Sequence, residues 1–170
     1  MTYMKKRILF LTSAIIISTL GYLHFIYHDS KLKGRVISVF DGDTITVITE
    51  NKQIMHINLL GIDAPEIKQA YGFLSKQFLI NLIAGRQIEI QSVGTDAHGI
   101  NLATIYFHHK NINIKMIEHG YAWVYRIDGK PTDPNMCKYE QKAKNQSIGL
   151  WTQEKPIPPW IFRQKNSKQR

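Results

Sequence analysis

Arg35–Glu66 reads RVISVFDGDTITVITENKQIMHINLLGIDAPE. Two β-rich runs, Arg35–Phe40 and Thr44–Thr49, flank Asp41-Gly42-Asp43, and Asp-Gly between such runs is a tight-turn signal. Glu50-Asn51-Lys52 supplies a second turn, and Gln53–Leu60 reads as a third strand. The stretch therefore predicts an antiparallel meander.

Working outward, Pro65–Ala84 reads as a helix. Ile67, Ala70, Tyr71, Leu74, Phe78 and Leu82, with Ile83 at the edge of the stripe, recur at steps of three or four, and Gly85 stops the run. Arg86–Val93 alternates as a strand with Ile88 and Ile90 on one face. The turn-prone Gly94–Gly99 leads into a further strand, Ile100–His108. Asn113–His119 reads as a short helix ended by Gly120, Tyr121–Arg126 as strand-like or extended, and Asp133–Ser147 as a last helix. Pro156, Pro158 and Pro159 then break regular structure, and Lys165–Arg170 reads as disordered. About five short strands with a few helices predict a small closed β-barrel with helices beside it.

The chain has 170 residues, 44% hydrophobic and 21% charged, which is the mixture of a globular protein. Its single cysteine, Cys137, excludes an intrachain disulfide and a Cys-rich zinc site, and no base is implied that would make it a nucleophile. Lys and Arg exceed Asp and Glu by 22 to 13. That excess sits at the ends: residues 31–160 carry only a net +3, whereas 161–170 carry Arg163, Lys165, Lys168 and Arg170 with no acid. A basic end of this kind is either a solvated terminus or a contact for nucleic acid or anionic lipid.

Ile8–Tyr27 contains no Asp, Glu, Lys or Arg and follows Lys5-Lys6-Arg7. Twenty residues at 1.5 Å each match a hydrocarbon core of about 30 Å. Residues 1–30 therefore read as a signal anchor, with a cleaved signal peptide as the alternative. Lys5, Lys6 and Arg7 would keep the N-terminus in the cytoplasm and place the following domain outside it. The expected organisation is anchor or signal over 1–30, barrel domain over 33–152, and a Pro-containing basic tail over 153–170.

Two segments concentrate the carboxylates: Asp41-Gly42-Asp43-Thr44 and Asp63-Ala64-Pro65-Glu66. Each has a purely conformational reading, the first as a hairpin turn and the second as a helix start. Together they say more. The strand before Asp63 should pair with the strand carrying Thr44, so the two segments meet at one end of the sheet. Carboxylate oxygens that converge repel one another unless a hard cation such as Ca²⁺ or Mg²⁺ joins them.

The order VFDGDTITV, INLLGIDAPE, a helix containing AYG, TDAHG, GYAWVYR and KAKNQSIGLW resembles the staphylococcal (thermo)nuclease family over residues 33–152. The resemblance implies a five-stranded OB-fold barrel with about three helices. It also implies a monomeric, Ca²⁺-dependent phosphodiesterase acting on DNA and RNA. Carried over residue by residue, it implies that Asp43, Asp63 and the backbone carbonyl of Ala64 hold the metal. Glu66 would be the general base, Asp41 a neighbouring acid, and His98 a nucleotide contact. The family's two catalytic arginines fall at Asn58 and Ile100. An arginine aimed at a transferring phosphoryl group can contribute roughly 10³–10⁵ in rate. Two outcomes follow: a nuclease with rearranged phosphate donors, or a degenerate domain that binds nucleic acid or protein beside a membrane. Lys68, Arg35 and Arg86 are alternative donors elsewhere in the chain, which the sequence does not place at the phosphate.

Other residues read as structural. His108-His109 would face opposite sides of a strand or lie at a turn, and His56 would sit on a strand surface. Trp123, Tyr121 and Tyr125 read as core and rim packing with base stacking as the lesser alternative. Trp151 reads as an anchor after the last helix.

Overall fold

The computed structural model describes residues 32–167. The hydrophobic segment 8–27 lies outside the described residues. Among the described residues, no helix is long and apolar enough to cross a membrane.

Three antiparallel strands open the domain: β1 (Leu32–Val39), β2 (Thr44–Thr49) and β3 (Ile54–Leu59). They are the expected meander. After β4 (Ile62–Asp63) and helix α1 (Gly72–Ile83) come β5 (Gln87–Thr95) and β6 (Asn101–Phe107). β5 pairs with β1 on one side and with β6 on the other. β6 then runs parallel to β3, with Ile57 opposite Asn101 and Asn58 opposite Leu102, which closes a five-stranded barrel. This is the OB-type barrel that the sequence implies. Register shifts in β1 at Val36/Ser38 and in β5 at Ser92/Gly94 supply local bends of the kind that closure requires.

The interior follows from strand alternation. Ile45, Val47, Ile57, Leu59, Ile88, Ile90, Ala103 and Ile105 point inward at every second position and are buried. Beyond the barrel lie β7 (Lys110–Asn111), α2 (Ile112–Glu118), β8 (Trp123–Val124), β9 (Arg126–Ile127) and β10 (Lys130–Pro131). A 3₁₀ turn at Pro134–Met136 precedes α3 (Cys137–Asn145), a second covers Gly149–Thr152, and α4 (Pro159–Ser167) follows. Two buried polar groups tie these parts together. The Asn113 side chain donates to the Leu60 and Ala103 carbonyls and accepts from the Ile105 N–H. Glu140 accepts from Arg126, Lys144 and the Val124 N–H, fastening α3 to β8.

Four expectations need correction. The first helix starts at Gly72 rather than Pro65, because Glu66–Tyr71 is a run of turns in which the Gln69 N–H bonds the Glu66 carbonyl. A Cβ on Gly72 would lie 1.8 Å from the Glu66 carbonyl oxygen, so only glycine fits this close approach. The buried face of α1 is Ser75, Leu79 and Ile83, one residue round from the predicted 74/78/82 stripe, of which only the edge residue Ile83 is buried. Ser75 holds that rotation by donating to the Tyr121 carbonyl at 2.6 Å. Tyr121–Arg126 is not one strand: only Trp123–Val124 and Arg126–Ile127 pair, with different partners. Finally, Pro159 opens a helix instead of breaking one, as proline does at a first helical position.

Candidate active site

Asp41 shapes the first carboxylate segment. One of its oxygens accepts from the backbone N–H groups of Asp43 at 3.0 Å and Thr44 at 2.7 Å, an Asx turn that aims Asp43 inward. Gly42 is required by space rather than by its φ: a Cβ there would lie 2.0 Å from Ser75 Oγ and 2.6 Å from Ala64 Cβ. The turn is thereby pressed against α1 and against the second carboxylate segment.

β4 delivers that second segment through its pairing with β8, Asp63 opposite Trp123. The Ala64 N–H donates to Asp43 Oδ2, so the two segments meet as expected. Burial pushes Asp43 well above the usual carboxylate range, and the neighbouring Asp41 and Asp63 charges push the same way. Asp63 is also raised, chiefly by burial, against the opposing pull of an arginine.

That arginine is Arg163, from α4. Its Nη1 and Nη2 bond both oxygens of Asp63 at 3.0 and 2.7 Å, and Nη1 also reaches Glu66 Oε1 at 2.8 Å. Glu66 is held from below by its own backbone, whose N–H donates to the Gln69 side chain. The Gln69 amide in turn donates to the Ile157 carbonyl, docking the chain just ahead of α4. Asp63 and Glu66, both predicted site residues, thus share one guanidinium from a segment predicted to be an irregular tail.

A model of the staphylococcal nuclease homologue family matches residues 56–153. The chain belongs to this family. It is 36% identical over 143 residues to a micrococcal nuclease of Shigella flexneri, covering 79% of this chain and 82% of that protein. It is 38% identical over 135 residues to an uncharacterized endonuclease of Escherichia coli O157:H7, covering 79% and 86%. It is 33% identical over 150 residues to Protein ParB of Escherichia coli, covering 83% and 84%.

Within this nuclease-family domain, the two positions expected to carry arginines do other work. Asn58 accepts from the Thr44 hydroxyl at 3.1 Å and donates to Asp96 Oδ2 at 3.2 Å. That hydroxyl also lies 3.2 Å from Asp43 Oδ1. The Ile100 N–H, with that of His98, bonds Asp96 Oδ1 and holds this carboxylate below its usual range. Asn58 and Ile100 therefore brace the Asp96–Ile100 turn against β3. His98 is exposed on that turn. His108 and His109 are exposed turn residues with φ of 48° and 60°. Trp123 is buried edge-on to Trp151, and Tyr121 stacks on Phe78 at 4.3 Å, both packing roles.

A hard cation fits the chemistry of this corner. Asp43 and Asp63 are both raised by burial and by neighbouring carboxylates, and Arg163 bonds Asp63 but not Asp43. Among the described residues, no group of three or more His, Cys, Asp or Glu side chains could hold a metal ion. A cation here would rely on Asp43 and Asp63 with backbone carbonyl and water to complete its shell, and Arg163 would have to release Asp63 for that carboxylate to reach it.

Arg163 is the residue that sequence reasoning missed. Its one available signal is the apolar run Pro159-Trp160-Ile161-Phe162 just before it, out of place in a solvated tail. Pro159 is indeed buried, and the next three residues are half-buried.

Proposed function

We propose that the chain is a Ca²⁺-dependent nuclease that hydrolyses phosphodiester bonds of DNA or RNA. The observation that carries this reading is the convergence of Asp43, Asp63 and Glu66 on one corner, joined by the Ala64 N–H and the Arg163 guanidinium. Asp43, Asp63 and the Ala64 carbonyl would hold the cation. When bound, it supplies charge neutralisation and orientation at the phosphate.

The chain's own residues do the rest. Glu66, whose side chain is 38% exposed, can reach a water at the site mouth and take its proton as the water attacks phosphorus, while the bond from phosphorus to one ester oxygen breaks and that oxygen leaves to be protonated by solvent. Asp41 keeps Asp43 aimed into the site through the turn it caps. The Asn58–Thr44–Asp43 contacts limit how far that carboxylate can shift. Positioning of this kind is worth orders of magnitude in rate. The uncharged segment Ile8–Tyr27 supports placing the domain outside the cytoplasm on a single-pass anchor.

The test is cleavage of labelled single-stranded DNA by the full-length chain, in Ca²⁺ and in chelator, beside Glu66→Gln. The proposal expects cleavage only in Ca²⁺, reduced at least about 10²-fold in Glu66→Gln. Salt-sensitive binding without cleavage, equal in both proteins, would instead establish a binding module.

A further inference from the structure

Resting on the nuclease reading, we propose that Arg163 is the phosphate-gripping cation of this chain, replacing the arginines absent from positions 58 and 100. A phosphate that meets a cation at Asp63 and a water polarised by Glu66 must lie against both residues. Arg163 touches both. Its guanidinium thus stands beside the phosphate position before any substrate arrives.

The other described arginines are committed elsewhere. Arg35 bonds the Gly85 carbonyl, Arg86 lies over the Phe107 ring, and Arg126 is forked onto Glu140. Among the described residues, the ion pairs that reach Asp63 and Glu66 are those of Arg163.

The exchange requires little motion. Buried Pro159 and the Gln69 contact to Ile157 fix the start of α4, and Arg163 lies one turn further on. Its side chain is 47% exposed, so rotamer changes alone can carry the guanidinium from Asp63, where both its terminal nitrogens are bonded, and from Glu66 to an incoming phosphate. Phosphate and carboxylate present the same paired oxygens to a guanidinium, and phosphate carries as much charge. The transfer also frees Glu66 to accept a proton from water, so the base is released by the substrate that needs it.

The experiment measures equilibrium binding to the full-length chain in Ca²⁺, with two oligodeoxynucleotides of one sequence. One carries hydrolysis-resistant phosphorothioate linkages and the other uncharged methylphosphonate linkages. Arg163→Gln should raise Kd for the phosphorothioate about 10–100-fold and leave the methylphosphonate unchanged. Arg163→Lys should recover part of the loss, and Lys165→Gln, on the same helix, should bind like the wild type. Equal Kd values for wild type and Arg163→Gln overturn the assignment, even if the wild type cuts DNA. So does an equal loss on both probes, or a wild type that binds neither. Loss of cleavage in Glu66→Gln tests the nuclease reading separately, because it does not depend on how Arg163 binds.

Discussion

Asp43 is a carboxylate placed where its charge is costly. Burial and the adjacent Asp41 and Asp63 raise it, and the Ala64 N–H only partly offsets them. A carboxyl raised on folding contributes stability that is complete below its unfolded value and is lost as pH rises through its folded one. The cation-free protein should therefore carry a penalty at neutral pH. Asp43→Asn should raise the melting midpoint in chelator at neutral pH, by about 2–4 °C per kcal/mol relieved. The gain should vanish as the buffer is acidified below the usual carboxylate range. A thermal melt in chelator across pH checks this, and a lower midpoint at neutral pH would count against it. Ca²⁺ should raise the wild-type midpoint and leave that of Asp43→Asn nearly unmoved. At this scale much of the site is legible in the sequence, because Asp43, Asp63 and Glu66 lie within two short segments. Arg163 is not, since its partners lie 100 and 97 positions away and such a contact leaves no periodic trace.

Among the elements, α3 is held to β8 by the Glu140 cluster. Burial alone would raise Glu140, but Arg126, Lys144 and the Val124 N–H together hold it below its usual range. Its sign is opposite to that of Asp43: the stability it contributes is lost as pH falls through its lowered value. Glu140→Gln should cost about 2–4 kcal/mol, somewhat below a fully buried pair because Arg126 keeps some solvent contact. Denaturant unfolding at neutral pH measures the loss, and a change below about 0.5 kcal/mol would contradict this account. Asn113→Ala should cost about 1–3 kcal/mol, since it leaves the Leu60 and Ala103 carbonyls short of a donor in the core. The first three strands are readable because alternation and turn residues agree over Arg35–Leu60. The start of α1 is not, because Asp-Ala-Pro-Glu has the composition of a helix start. There the chain is turned instead by the Glu66–Gln69 bond and by the Glu66 carbonyl against Gly72.

Over the described domain, barrel closure sets the layout of the site. The parallel β3–β6 pairing brings Asn58 beside the Asp96–Ile100 turn, and the β4–β8 pairing sets Asp63 next to the Asp41–Asp43 turn. α4 then adds its arginine across Asp63 and Glu66. An OB-type barrel could be inferred from strand spacing and resemblance. The docking of α4 could not, because it depends on the Gln69–Ile157 contact and on the burial of Pro159, which local pattern does not reveal. Ending the chain after Ile157 removes Arg163 while sparing every barrel strand. It should leave the circular-dichroism spectrum of a folded barrel and abolish Ca²⁺-dependent cleavage.

The most direct measurement is single-turnover cleavage of a labelled single-stranded oligonucleotide by the full-length wild type and Arg163→Gln, in Ca²⁺ and in chelator. The account predicts that the wild type cuts in Ca²⁺ alone and that Arg163→Gln cuts about 10²–10³-fold more slowly. An Arg163→Gln chain that cuts as fast as the wild type, or faster, would contradict it and leave Arg163 as a clamp on the carboxylates rather than a grip on the phosphate.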